Sequence, residues 1–201
     1  TSVQELLDES APETTAEEAN TAIFYSISNT QKGLQGISFG PFLIKQVVTS
    51  LRQQLPSLKT FSTLSPIPGF RRWLVSYFEQ TLGTAEQETA LQALKEAAGL
   101  LKVAVEPEAV FNAPQWWENP EVADLLKESL LSLCARYLHE LREKDQAPVD
   151  PVARFHLGNG ARIERLNWLG DTSAKGMRES CGLMVNYLYQ LKEIEKNIES
   201  Y

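Results

Sequence analysis

The chain has 201 residues, 43% of them hydrophobic and 22% charged, with a formal net charge of −7. That size and balance describe a soluble globular protein of one large or two small domains, and the negative charge argues against a general nucleic-acid binder. Two isolated cysteines, Cys134 and Cys181, sit in apolar stretches without CxxC or Cys/His spacing, which argues against structural zinc and fits a reducing compartment.

The opening "TSVQELLDESAPETTAEEAN" is acidic and lacks the basic start and apolar core of a signal peptide. Residues 1–20 read as a lead-in. "TAIFYSIS" (21–28) is β-branched and aromatic and predicts a buried strand. "NTQKGLQGISFG" (29–40) is a glycine-rich turn. From Phe42 the pattern is helical, with Leu43, Val47, Leu51 and Leu55 spaced four apart, and Pro56 ends it. "LKTFSTLS" (58–65) predicts a second strand, then "PIPG" a stiff corner, then a helix to about Gln80. This strand–helix–strand–helix order favours parallel pairing and a layered α/β or α+β fold.

Helices are predicted over 85–102 and 119–144, the second opened by Asn119 as N-cap and Pro120 at the first helical position. "ARFHLGNGARIERLNWLGD" (153–171) reads as a loop leading into a strand at about 162–169. Residues 173–198 read as one last helix, with Met184, Tyr187, Leu188, Leu191, Ile194 and Ile198 on one side. No apolar run approaches the length of a membrane span.

Few residues present chemistry by pattern alone. The turn "QKGLQGISFG" could aim backbone N–H groups and a helix N-terminus at an anion such as a pyrophosphate, or could be an ordinary tight connection. It is neither a Walker loop nor a GxGxxG fingerprint. His139 shares a helix face with polar residues and reads as solvated. His156, in "RFHLGNGA", reads as a partly buried histidine held before a Gly-Asn-Gly turn, structural or acid–base. Ser65 sits at a strand end without a GxSxG elbow, so it is a turn serine or an aimed hydroxyl. Arg71 and Arg72 could reach a phosphate or lie exposed at a helix start. Trp116 and Trp117 read as core anchors, and Tyr187 and Tyr189 as packing residues unless a site lies close.

Longer strings carry more information. "FYSISNTQKGLQGISFGPFLIKQVV", "FSTLSPIPGFRRWL", "FHLGNGARIERLNWLGDTSAKG" and "SCGLMVNYLY" resemble the malonyl-CoA decarboxylase family over nearly the whole chain after about residue 20. The resemblance implies an α+β, GNAT-like acyltransferase fold with a large helical insertion. Residues 21–201 would form the C-terminal portion of the catalytic domain. It implies that Gln35, Gly36, Ile37, Ser38, Phe39, Gly40 and Pro41 hold the CoA pyrophosphate. Ser65 and His156 would form the catalytic pair, with Tyr189 near the acyl end of the substrate. The implied reaction is a carboxy-lyase step in fatty-acid and malonate metabolism, with acyl-CoA as the small-molecule partner. No metal or other cofactor would be needed, because the thioester is the electron sink. The implied location is the cytoplasm, with no nucleic-acid or membrane partner. Family members also carry a helical oligomerisation domain and early sheet strands ahead of the matched segment. The resemblance therefore casts this chain as a fragment or one half of a larger, homo-oligomeric assembly. A related acyl-CoA transferase and an inactive CoA-binding module are the alternative readings.

Overall fold

The computed structural model describes residues 15–25, 40–80 and 82–200, together with 8 and 10. Four strands form a mixed sheet: β1 (Thr21–Tyr25), β2 (Thr60–Pro66), β3 (Arg162–Asn167) and β4 (Met184–Tyr189). Their order is β1-β2-β4-β3. The β1–β2 pair is parallel, with Thr21 opposite Thr60 and Tyr25 opposite Leu64. The other two pairings are antiparallel, and β3 carries an irregularity between Ile163 and Arg165. The chain crosses between the parallel strands through helix α1 (Gly40–Gln54), as a parallel pair requires.

Further helices are α2 (Phe70–Glu79), α3 (Ala85–Leu101), α4 (Pro107–Phe111), α5 (Pro120–His139), α6 (Pro151–Gly158), α7 (Ala174–Ser180) and α8 (Ile194–Ser200). The described residues fall into two compact units. The first takes in the sheet with α1, α6 and α8, from Thr1–Pro66, Pro151–Asn167 and Met184–Tyr201. The second is helical and comprises Ile67–Asp150 and Trp168–Leu183.

In the helical unit, Leu94, Ala97, Leu126, Leu130 and Leu133 are buried along α3 and α5, and Trp116 is buried while Trp117 is half-buried. Asn119 caps α5 by accepting from the backbone N–H of Glu121 and Val122. Helix α5 stops at His139, short of the predicted 144, because Glu140 is extended and Leu141 bridges Pro148. Gly69, which closes the proline corner, is needed for close approach. A Cβ there would lie 2.2 Å from the Tyr137 hydroxyl oxygen. Arg71 is buried and bonds Glu108 (3.1 Å) and Asn112 (2.6 Å), so it is a structural cation and not a phosphate ligand.

Three sequence expectations are corrected. Strand β1 is not buried: it lies at the edge of the described sheet with Ile23 and Tyr25 exposed, and residues 26–28 of the expected strand lie outside the described residues. The segment around His156 is helix α6, not loop, and it opens at Pro151, whose fixed φ suits the first helical position. The single helix expected over 173–198 is instead α7, β4 and α8. Cys181 (φ 52°) and Gly182 (φ 81°) adopt left-handed backbone that ends α7. "MVNYLY" is then a strand buried on both faces, so it shows no alternation and its apolar positions mimic a helical stripe.

Candidate active site

Strand alternation puts Phe61, Thr63 and Ser65 on one face of β2, and Val185, Tyr187 and Tyr189 on one face of β4. Both strands are interior to the sheet, which keeps these side chains from solvent. Helix α6 brings His156 to this face. Its end is fixed by the Gly-Asn-Gly turn: Gly160 has φ +79°, and a Cβ there would meet the Ile194 carbonyl oxygen at 2.6 Å. Asn197 donates to the Gly160 carbonyl and ties the turn to α8.

The result is a buried chain of polar atoms. Ser65 Oγ lies 3.2 Å from His156 Nε2. His156 Nδ1 lies 2.7 Å from the Tyr189 hydroxyl. Ser65 Oγ also lies 2.8 Å from Thr63 Oγ1. The His156 ring stacks on Tyr187, with centroids 4.5 Å apart and planes 21° apart. His156 is only 3% exposed and Ser65 only 5%.

Burial sets the protonation states. It pushes the His156 imidazole down to about 4, so the ring is neutral at pH 7. It holds the Tyr189 hydroxyl well above the ordinary tyrosine value, so that group keeps its proton. Among the described residues the Tyr189 hydroxyl has one hydrogen-bond partner, Nδ1. Donating there avoids a buried unsatisfied O–H and leaves the proton of the neutral ring on Nε2, facing Ser65. A neutral ring in this setting can donate from Nε2.

The structure thus brings together Ser65, His156 and Tyr189. Of the proposed pyrophosphate residues, Gln35, Gly36, Ile37, Ser38 and Phe39 lie outside the described residues, while Gly40 and Pro41 open α1. The sequence reading missed Thr63, although its i, i+2 spacing from Ser65 in "FSTLS" already placed both hydroxyls on one strand face. A cleft of about 500 Å³ is lined by Ile23, Lys59, Arg162, Asn186 and Tyr189 among others, and not by Ser65 or His156. Among the described residues, no cluster of three or more His, Cys, Asp or Glu could hold a metal ion, and no helix is long and apolar enough to cross a membrane.

Fold and site together define an α+β protein with a buried Ser–His–Tyr array on a mixed sheet. Comparison with known proteins narrows this class. Residues 1–201 match the family described as malonyl-CoA decarboxylase C-terminal domain, and the chain belongs to that family. It is 40% identical over 206 residues to the rat mitochondrial malonyl-CoA decarboxylase, covering 99% of this chain and 42% of the relative. The mouse mitochondrial protein is 42% identical over 198 residues, covering 94% and 40%. Crystal structures titled malonyl-CoA decarboxylase are also similar. That from Rhodopseudomonas palustris has a TM-score of 0.82 at 48% identity, covering 99% of this chain and 42% of that one. That from Agrobacterium vitis has a TM-score of 0.81 at 50% identity, covering 99% and 46%. The chain therefore spans less than half the length of these relatives.

Proposed function

We propose that this chain carries the chemistry that converts malonyl-CoA to acetyl-CoA and CO2 through a thioester enolate, as a carboxy-lyase. The observation that carries the reading is the 3.2 Å contact between Ser65 Oγ and His156 Nε2. It sets two groups 91 positions apart in sequence side by side, both buried, where one small acyl group could meet both.

Loss of CO2 needs the breaking C–C bond held parallel to the thioester π system, which is a positioning task. The Ser65 hydroxyl would donate to the malonyl carboxylate and hold that rotamer. As the bond breaks, its electron pair moves onto the thioester carbonyl and CO2 leaves uncharged. A low-dielectric site favours this step, because a localised carboxylate charge becomes neutral CO2 and a delocalised enolate. The enolate oxygen needs preorganised donors, a role that backbone N–H groups can fill. The α-carbon then takes the Nε2 proton of His156, the Tyr189 hydroxyl passes its own proton to Nδ1, and a proton from solvent restores Tyr189 before the next turnover. The thioester serves as the electron sink, so the scheme calls on no metal or other cofactor.

The finer fold reading is GNAT-like. It is supported by the parallel β1–β2 pair joined through α1, whose N-terminus follows the glycine-rich turn assigned to pyrophosphate binding. The two buried free thiols support a compartment that keeps cysteines reduced, for which the cytoplasm and the mitochondrial interior both qualify. Homo-oligomerisation belongs to the same proposal.

Mass spectrometry of the protein incubated with malonyl-CoA tests the activity. Acetyl-CoA and CO2 in equal amounts are expected. Acetyl transfer to an added amine without malonyl-CoA turnover would establish the transferase instead, and CoA binding with no turnover would leave a binding module.

A further inference from the structure

The β2–β4 ladder is open in its middle. Phe61 and Ser62 pair with Tyr189 and Leu188, and Ser65 and Pro66 pair with Val185 and Met184. Between them, Thr63 and Leu64 face Tyr187 and Asn186 without ladder pairing, and side chains supply the bonds. The Tyr187 N–H donates to Thr63 Oγ1 (3.1 Å), the Asn186 amide donates to the Thr63 carbonyl, and Ser62 Oγ donates to the Tyr187 carbonyl (3.1 Å). Thr63 is wholly buried.

Proton counting and burial together set a direction. Thr63 Oγ1 already accepts the Tyr187 N–H, so its remaining need is an acceptor for its own proton. Among the described residues the available acceptor is Ser65 Oγ, 2.8 Å away. Either direction leaves one hydroxyl proton without an acceptor among the described residues, but Thr63 is wholly buried whereas Ser65 keeps 5% exposure, so the unmet proton is placed on Ser65, where a bound group can reach it. Ser65 Oγ therefore receives Thr63 O–H on one side and faces His156 Nε2–H on the other, which fills its lone pairs. Its own proton is left with no acceptor among the described residues.

We infer that Thr63 is a positioning residue, which by donating to Ser65 Oγ turns the Ser65 hydroxyl proton outward to a carboxylate on the bound acyl group. This rests on the decarboxylase reading and adds the residue that orients its serine. The opening in the ladder is what permits it, since it lets a strand side chain and not a carbonyl take the Tyr187 N–H.

Two measurements test it. Neutron diffraction of the deuterated protein reads the donor directly and does not depend on turnover. Deuterium owned by Thr63 on the line to Ser65 Oγ is expected, and deuterium owned by Ser65 on that line overturns the inference. Steady-state kinetics reads the consequence. Thr63→Val should lower kcat about 10- to 100-fold with KM within about twofold, as loss of one oriented hydrogen bond implies. Thr63→Ser should recover kcat to within about threefold. Ser62→Ala removes another bond of the same gap without touching Ser65, and should leave kcat unchanged. Equal losses in Ser62→Ala and Thr63→Val would reduce Thr63 to a structural role and overturn the inference. Absence of turnover in the wild-type protein would instead remove the decarboxylase reading, and the neutron result alone would then decide the Thr63 assignment.

Discussion

Burial of a neutral histidine makes stability depend on pH in a calculable way. The ordinary His value is 6.5, and in the folded protein desolvation pushes His156 down to about 4. Between those values the unfolded chain binds a proton that the folded one does not, so the unfolded state gains as pH falls. His156 therefore contributes stability that is present above pH 6.5, is lost as pH drops toward about 4, and changes no further below that. At 1.36 kcal/mol per pH unit the whole gap is worth about 3 kcal/mol, of which about 2 kcal/mol falls between pH 7 and pH 5. Urea denaturation of the wild type and His156→Gln at pH 7, 6 and 5 isolates this contribution. The variant carries a constant offset from lost packing, and carboxylates held low, such as Glu86 bonded by Ser132, titrate alike in both proteins. The wild type should lose about 2 kcal/mol more than the variant between pH 7 and pH 5. Parallel losses would refute the claim that His156 is held neutral by desolvation.

Other consequences follow from single contacts. Tyr189→Phe removes the donor at His156 Nδ1. It should lower kcat about tenfold, and nitrogen-15 spectra of labelled histidine should show the Nε2–H tautomer losing population. Gly69→Ala drives a methyl into the Tyr137 hydroxyl and should cost about 1–3 kcal/mol of stability in thermal or urea melts. Adding Tyr137→Phe should recover part of that cost, giving a favourable coupling in a double-mutant cycle. Cys181 is buried and its thiol is pushed up to about 12, and Cys134 is raised further, chiefly by burial. Both should resist alkylation in the native protein and react once it unfolds.

Much of the first unit was legible in the sequence because its signals are local. β-Branched runs marked β1 and β2, and the four-residue apolar spacing with Pro56 marked α1. Asn119-Pro120 marked the start of α5. Strand β4 was illegible by periodicity because it is covered on both faces, and its "MVNYLY" fits a helical stripe as well as a strand. The break at Cys181–Gly182 was visible only as a lone glycine, since a cysteine in left-handed backbone has no sequence signature. For the site, spacing alone left Ser65 and His156 ambiguous, because no local motif encodes a contact across 91 positions. The resemblance named them, and the geometry supplies what neither could: the neutral state of His156 and the contact between Thr63 and Ser65. The proline corner after Ser65 also divides into two parts. Pro66 belongs to β2 and pairs with Met184, whereas Gly69 is required by Tyr137 in the helical unit.

The central claim is that Ser65 and His156 act together on one malonyl group. The most direct test is malonyl-CoA turnover by Ser65→Ala and His156→Gln, with circular dichroism to confirm that each variant folds. The account predicts that each substitution alone lowers kcat about 100- to 1,000-fold while the fold persists. Wild-type rates in both variants would contradict it.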